Sequence, residues 1–320
     1  MKGVTMEIEP IIALLNDNKN LNKRRVLEIF EDLISKKGPE NIDKNIIVDY
    51  LKMLKIDGED RYSGIAEKLL DEIEEGELDY YREYISKIDR EGIELVPFYQ
   101  DEYPQRLRLI PDAPLCLFVD GDLSALSDGV AVAGTRSAHD HRVEFVRRIA
   151  NKLVEMDKTV VSGLAYGVDA AAHEGALEAG GQTTAILPGD IETIRPSGNE
   201  SLGKEIRKEG ALVAELTDKK SMHKGRYLER NRLTSGISTA VIIGASGETG
   251  GTIHQADFAK EQERPRFLYD PKKDDGQSPD KLYNKGFVSF ETVDQLEELL
   301  KGKFDPTNGI SGETTLDDFK

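Results

Sequence analysis

The residues from Val130 to His173, VAVAGTRSAHDHRVEFVRRIANKLVEMDKTVVSGLAYGVDAAAH, decide the fold. A four-residue apolar run, Val130 to Ala133, leads into Gly134-Thr135-Arg136. A second run, Thr159 to Val161, leads into Ser162-Gly163-Leu164-Ala165-Tyr166-Gly167-Val168-Asp169. Between them Phe145, Val146, Ile149, Leu153 and Val154 recur at helical spacing, so the stretch reads as strand, amphipathic helix, strand and the start of a second helix. Such a connection is long enough for the right-handed crossover that joins parallel strands.

The same alternation extends in both directions. Further strand-like runs are Ile93 to Phe98, Leu115 to Val119, Thr183 to Leu187, Leu212 to Ala214, Ala240 to Ile243 and Arg266 to Tyr269. They predict an α/β domain over 92–302, doubly wound on a mostly parallel sheet. Upstream, residues 1–91 are highly charged with helix-period apolar positions such as Leu14, Leu21, Val26, Phe30 and Leu33. They predict a small all-α domain, broken at Gly38-Pro39 and Asp57-Gly58. The polar stretch 303–320 has too few apolar residues to offset its ordering entropy and is expected to be disordered.

Composition narrows the function classes. The 320 residues carry 60 acidic and 43 basic side chains, a formal charge of -17, which opposes a diffuse electrostatic grip on nucleic acid. Any phosphate site must therefore be local. Cys116 is the single cysteine and cannot form an intramolecular disulfide. With no signal-peptide pattern and no apolar run near the ~18 residues of a membrane span, a cytoplasmic, membrane-free protein is expected.

In open parallel sheets ligands lie beyond the carboxyl ends of the strands, so the residues following each strand carry the functional reading. After the first core strand, Gly134 and Thr135 allow close backbone approach and Arg136 offers a fork suited to phosphate. After the next, Ser162, Gly163 and Gly167 with a helix start can present backbone N–H groups to an anion. Asp169 and His173 are spaced i, i+4 on that helix and could pair, either for acid/base work or to anchor the loop. Arg230-Asn231-Arg232, placed at the opening of a helix, suits phosphate and base edges or else a salt-bridged surface. A glycine-rich loop around Gly250-Gly251-Thr252 could cradle phosphate, but it lacks the Lys-Ser/Thr of a Walker loop, and no Gly-x-Gly-x-x-Gly supports a dinucleotide cofactor. No cofactor is expected. His139 and His141 stand together without a third metal ligand at suitable spacing, so no metal is expected either. Of the aromatic side chains, Tyr166 and Tyr227 lie near these loops as candidate stacking surfaces.

Taken together, Tyr103-Pro104 with Leu107, PLCLFVDG at Pro114 to Gly121, Gly134-Thr135-Arg136, Ser162 to Asp169 with His173, and Arg230-Asn231-Arg232 resemble the DprA/Smf family of DNA-processing proteins. The resemblance covers about Gly92 to Phe290, and the helical front end looks like the family's sterile-alpha-motif-like domain. It implies an extended Rossmann-like fold that binds single-stranded DNA, dimerises and hands the strand to a RecA-type recombinase during DNA uptake and transformation. It further implies that Arg136, Ser162, Gly163, Arg230 and Arg232 contact phosphates while Asp169 and His173 shape the pocket wall. The chain departs from the family pattern at Arg195-Pro196, where Tyr-Pro is usual, and at Thr249 to Ala256, where the family carries Ser-Gly-Ser/Thr-Leu-x-Thr-Ala. With only a short polar stretch after Leu300, the winged-helix-like domain that many members carry is not expected in these residues.

Two other classes compete. A phosphoribohydrolase of related fold would carry Pro-Gly-Gly-x-Gly-Thr-x-x-Glu, but the position three past Thr252 is Gln255, which cannot act as a general base. No catalytic residue is assigned and a non-enzymatic role is expected. A nucleotide-sensing module fits the glycine-rich loops equally well. The cations counted near the mouth, Arg136, Arg142, Lys224, Arg226, Arg230 and Arg232, favour a strand with several phosphates.

Overall fold

The computed structural model describes residues 8–57, 60–271 and 275–302, so Gly58 and the polar stretch 303–320 lie outside the described residues. Two compact units emerge. The first holds 8–120 with 189–191 and 214–221, and the second holds 121–188, 192–213 and 222–302. The division falls after the second strand rather than at Gly92.

In the first unit, five helices precede the first strand: α1 (Ile8–Asp17), α2 (Lys23–Lys37), α3 (Lys44–Asp57), α4 (Asp60–Glu75) and α5 (Leu78–Arg90). Gly38 ends α2 with φ of 77° and returns its N–H to the Ile34 carbonyl, as a helix-terminating glycine does. After α5 come β1 (Glu94–Pro97), a single helical turn α6 (Gln105–Arg108) and β2 (Cys116–Gly121). The two strands pair antiparallel from Glu94 opposite Val119 to Pro97 opposite Cys116. The end of α1 is fixed by a polar residue inside an apolar unit. Asn16, 2% exposed, accepts from Leu115 N–H at 2.8 Å and donates to the Glu215 carbonyl at 2.7 Å. Beside it Asp17 is also buried and accepts from the Thr217 N–H and hydroxyl. Burial raises its carboxyl above the ordinary range, and the Thr217 bonds oppose that shift.

The second unit begins with β3 (Gly129–Gly134), α7 (Asp140–Glu155), β4 (Thr159–Ser162), α8 (Val168–Glu178) and β5 (Thr183–Ile186). It continues with α9 (Glu200–Glu209), β6 (Ala211–Ala214), α10 (Lys224–Ile237), β7 (Ala240–Ala245) and α11 (Gly251–Glu261). It closes with β8 (Arg266–Tyr269), α12 (Asp280–Tyr283), β9 (Val288–Phe290) and α13 (Val293–Leu300). The short strand β9 was not among the sequence-based strands, because three residues with Ser289 in the middle carry little apolar signal.

The strands run β6-β5-β4-β3-β7-β8-β9, and each neighbouring pair is parallel. The chain winds outward from β3 through β4 to β6, then returns to the other side of β3 with β7. Successive residues of the central strands enter opposite layers: Val130 and Val132 pack with Phe145, Val146 and Ile149 of α7, while Ala131 and Ala133 pack with Ala256 and Ala259 of α11. Burial on both faces is why these strands read as unbroken apolar runs. It also confines polar chemistry to the strand ends. The β3–β7 register slips between Ala133 and Gly134, where β7 carries one extra residue, Gly244, and pairing resumes at Gly134 opposite Ala245.

Asn16→Leu, similar in size, is expected to leave the Leu115 N–H and the Glu215 carbonyl unpaired in an apolar setting, lowering unfolding free energy by about 2–4 kcal/mol. Urea unfolding followed by circular dichroism checks this.

Candidate nucleic-acid interface

The order reversal at β3 and β7 places a cleft of about 680 Å³ beyond their carboxyl ends, the position at which open α/β sheets hold ligands. Three loops and one helix build it. The β3 loop supplies Gly134, Thr135 and Arg136; the β4 loop supplies Gly163, Ala165 and Asp169. The β7 loop and the start of α11 supply Gly247, Thr249, Gly250, Gly251, Thr252 and Gln255, and α10 supplies Lys224, Tyr227, Leu228, Arg230, Asn231 and Thr234.

Close approach governs the β4 loop. A Cβ on Gly163 would fall 1.4 Å from Nη1 of Arg230, so only glycine lets the guanidinium lie against the backbone there. The next residue, Leu164, is buried with φ of 60°, a left-handed conformation that a side chain adopts at a cost, and its carbonyl accepts from Asn199 Nδ2 at 2.9 Å. Gly167, φ 75°, lies against the carbonyls of Thr135 and Arg136, leaving 2.6–2.7 Å for a Cβ and thereby joining the β4 loop to the β3 loop.

Arg230 is 6% exposed and donates from Nη1 to the Ile186 carbonyl at 3.2 Å, while its Nε has no partner within the protein. Burial lowers its pKa and the Asp169 carboxylate opposes the shift. Asp169 is correspondingly raised by burial, opposed first by Arg230 and then by backbone donors including the Ala165 N–H at 3.3 Å. Two further buried groups in the cleft wall lack protein partners: the Thr234 hydroxyl, 1% exposed, and Nε2 of Gln255, 2% exposed. At the rim Arg136 is exposed and lies over the Tyr227 ring at 5.3 Å, and Asn231 Nδ2 donates to the Gly251 carbonyl at 3.2 Å. The cleft is thus lined by residues whose hydrogen-bonding capacity the protein does not fully consume, and it carries the exposed cations Arg136 and Lys224.

The cleft brings together Gly134, Thr135, Arg136, Gly163, Asp169, Arg230, Asn231, Gly250, Gly251 and Thr252. Ser162, Gly167, His173 and Arg232 do not line it. Ser162 is buried and its hydroxyl donates to the Val132 carbonyl at 2.6 Å, tying β4 to β3. Asp169 and His173 do not pair with each other, because a different bond holds each of them. His173 Nδ1 lies 2.7 Å from the Thr183 hydroxyl, which itself donates to the Val160 carbonyl, so Nδ1 carries the proton. Burial and the nearby Arg230 charge lower the His173 pKa to about 3, so the ring is neutral and unsuited to acid/base work near pH 7.

The cations counted from sequence also separate. Arg230, Asn231 and Arg232 occupy the middle of α10 rather than its opening. Arg142 is fully buried and spends all five donors, on both Asp275 oxygens, Ser278 Oγ and the Gly244 and Tyr269 carbonyls, so it fastens β7 and β8 to α7. Arg226 is buried and paired with Glu229 at 3.2 Å. Tyr166 is exposed but lies outside the cleft, leaving Tyr227 as the lining aromatic. Sequence reasoning missed Thr234 as a lining residue and treated Gln255 only as a missing base. A carboxylate does reach His139 and His141: that of Asp275, 134 residues beyond His141.

The model of the family described as DNA recombination-mediator protein A matches residues 94–301. The chain belongs to that family. Over 217 residues it is 30% identical to the DNA processing protein DprA of Bacillus subtilis, covering 66% of this chain and 72% of that one. Over 171 residues it is 34% identical to the Smf protein of a Synechocystis strain, covering 52% of this chain and 43% of the relative's length. Among solved structures, DprA from Streptococcus pneumoniae superposes with a TM-score of 0.74 at 23% identity, over 95% of this chain and all of that one, a likeness of fold. DprA from Helicobacter pylori, the subject of a study of its single-stranded DNA binding mode, superposes with a TM-score of 0.59 at 25% identity over 67% of this chain and 97% of that one.

The neutral His173 gives a pH signature. Its folded pKa lies below the ordinary value of ~6.5, so the unfolded chain takes up a proton that the folded state refuses, and stability is lost as pH falls from about 6.5 toward about 3. His173→Gln is expected to remove this contribution, which steepens toward ~1.4 kcal/mol per pH unit within the window. Urea midpoints of both proteins between pH 7 and pH 4 check it.

Proposed function

We propose that the cleft binds single-stranded DNA and that the protein works as a recombination mediator in DNA processing, passing the strand to a RecA-type recombinase. In this reading it acts as a cytoplasmic homodimer and catalyses no covalent step. One observation carries the reading: in a chain of net charge -17, exposed Arg136 and Lys224 line the same cleft as buried Arg230, Thr234 and Gln255, each of which keeps a polar group that the protein does not pair. A phosphate ester or a base carbonyl supplies the oxygen acceptors that these groups lack, and Arg136 together with Tyr227 offers a planar surface at the rim. The family's description as a recombination mediator and the single-stranded DNA binding studied in the Helicobacter relative support the strand as ligand. The non-enzymatic part draws on Asp169, the carboxylate in the cleft, which is committed to backbone donors and to Arg230, and on Gln255, which has no basic group.

Anisotropy of a fluorescent ~20-nucleotide strand over a salt series tests this, because affinity carried by phosphate contacts falls with ionic strength. Arg136→Ala, an exposed change, is expected to weaken binding and to reduce the salt slope by about one. Gln255→Leu removes a buried donor and is expected to raise Kd about fivefold, equivalent to ~1 kcal/mol for one hydrogen bond. Absence of binding at low salt would overturn the reading, and equal binding of a mononucleotide would turn it toward a nucleotide sensor.

A further inference from the structure

Beside the cleft, at the start of α7, two histidines and a distant carboxylate converge. His139 Nδ1 lies 3.7 Å and His141 Nε2 3.0 Å from the same oxygen, Oδ2 of Asp275, and the three ligand atoms lie within 4.8 Å of one another. Nitrogen and oxygen ligands at ~2.0–2.1 Å from a tetrahedral Zn²⁺ stand roughly 3.3 Å apart. The two measured separations bracket that value. Both imidazoles are half exposed and can turn, whereas the carboxylate is 9% exposed and held rigidly.

The carboxylate is held as metal-ligating carboxylates are held, by an outer set of donors. Arg142 Nη2 and the Gln277 N–H bind Oδ1 at 2.7 and 3.0 Å, and Arg142 Nε binds Oδ2 at 2.6 Å. These bonds fix the orientation of the carboxylate plane. The remaining position on Oδ2 faces His141, and the hydrogen bond there is the one a metal would replace. Two nitrogens and one oxygen select a borderline transition-metal ion over Mg²⁺ or Ca²⁺, which favour oxygen ligands.

We propose that His139, His141 and Asp275 form a binding site for one Zn²⁺-class ion that staples the segment after Arg136 to the loop after β8. The two segments already meet through Gln277, whose side chain accepts from the His139 N–H at 3.1 Å and donates to the Ser137 carbonyl at 2.9 Å. Metal ligation would add side-chain bonds to this backbone clasp immediately downstream of the cleft's exposed arginine. The proposal does not depend on what the cleft binds.

Calorimetric titration of the EDTA-treated, dialysed full chain with ZnCl₂, without DNA, tests it against His139→Ala/His141→Ala. Both side chains are half exposed, so the double variant keeps the fold, and it leaves the Arg142–Asp275 pair intact. The expected result is one equivalent bound with micromolar or tighter Kd, weakened at least tenfold in the double variant. A thermal midpoint raised by Zn²⁺ only in the parent protein supports the same conclusion. Lack of stoichiometric binding by the parent protein overturns the proposal. Unchanged binding in the double variant also overturns it, since the ion then sits on other residues such as His223 or His254.

Discussion

A guanidinium removed from water must find acceptors for its donors or remain a source of unspent hydrogen-bonding capacity, and among the arginines that the second unit buries, Arg142 and Arg230 show the two outcomes. Arg142 has every donor matched, two of them on one carboxylate, and its work is to hold α7, β7 and β8 together. Arg230 is matched only in part, with one bond to the Ile186 carbonyl, the charge of Asp169 opposite and Nε unpartnered. The rest of the cleft depends on accommodating that second cation. Gly163 must lack a side chain for Arg230 to fit, the Asp169 carboxyl opposes the cost of burying its charge, and His173 stays neutral behind it.

Under the proposed reading, that arrangement reconciles an acidic protein with an anionic ligand. The average surface repels phosphate, so attraction has to come from charges placed where the dielectric is low and counter-charges are already counted. Arg136 and Lys224 give the rim its positive character, and a hydrogen bond to a buried donor is worth more in a desolvated site than on the surface. Strand topology fixes the location, because β3 and β7 carry the chain in opposite directions around the sheet and leave a crevice where their connections part.

Much of this was legible in the residue order. The unbroken apolar runs around β3, β4 and β7 reflect burial on both faces, and the glycines that follow β3 and β4 mark where backbone crowds backbone, so the α/β class, the glycine-rich loops and most lining residues follow from pattern. The pattern failed where the signal was too short or too local. β9 has three residues, α10 begins six residues before Arg230, and the i, i+4 spacing of Asp169 and His173 suggested a pair that backbone and Thr183 bonds preclude.

By itself the sequence determined the class of fold, the helical front end, and the residues standing after each strand, since these depend on periodicities of two and 3.6 and on residues with special backbone freedom. Its family kinship was legible in the combination of motifs. Only the tertiary structure decided which arginines are available and which are spent, that Thr234 and Gln255 face the cleft, and that Asp275 reaches His139 and His141 across 134 residues of chain. The physical reason is that a side chain's free hydrogen-bonding capacity depends on what packs against it, and those neighbours come from segments whose distance along the chain carries no record of their distance in space.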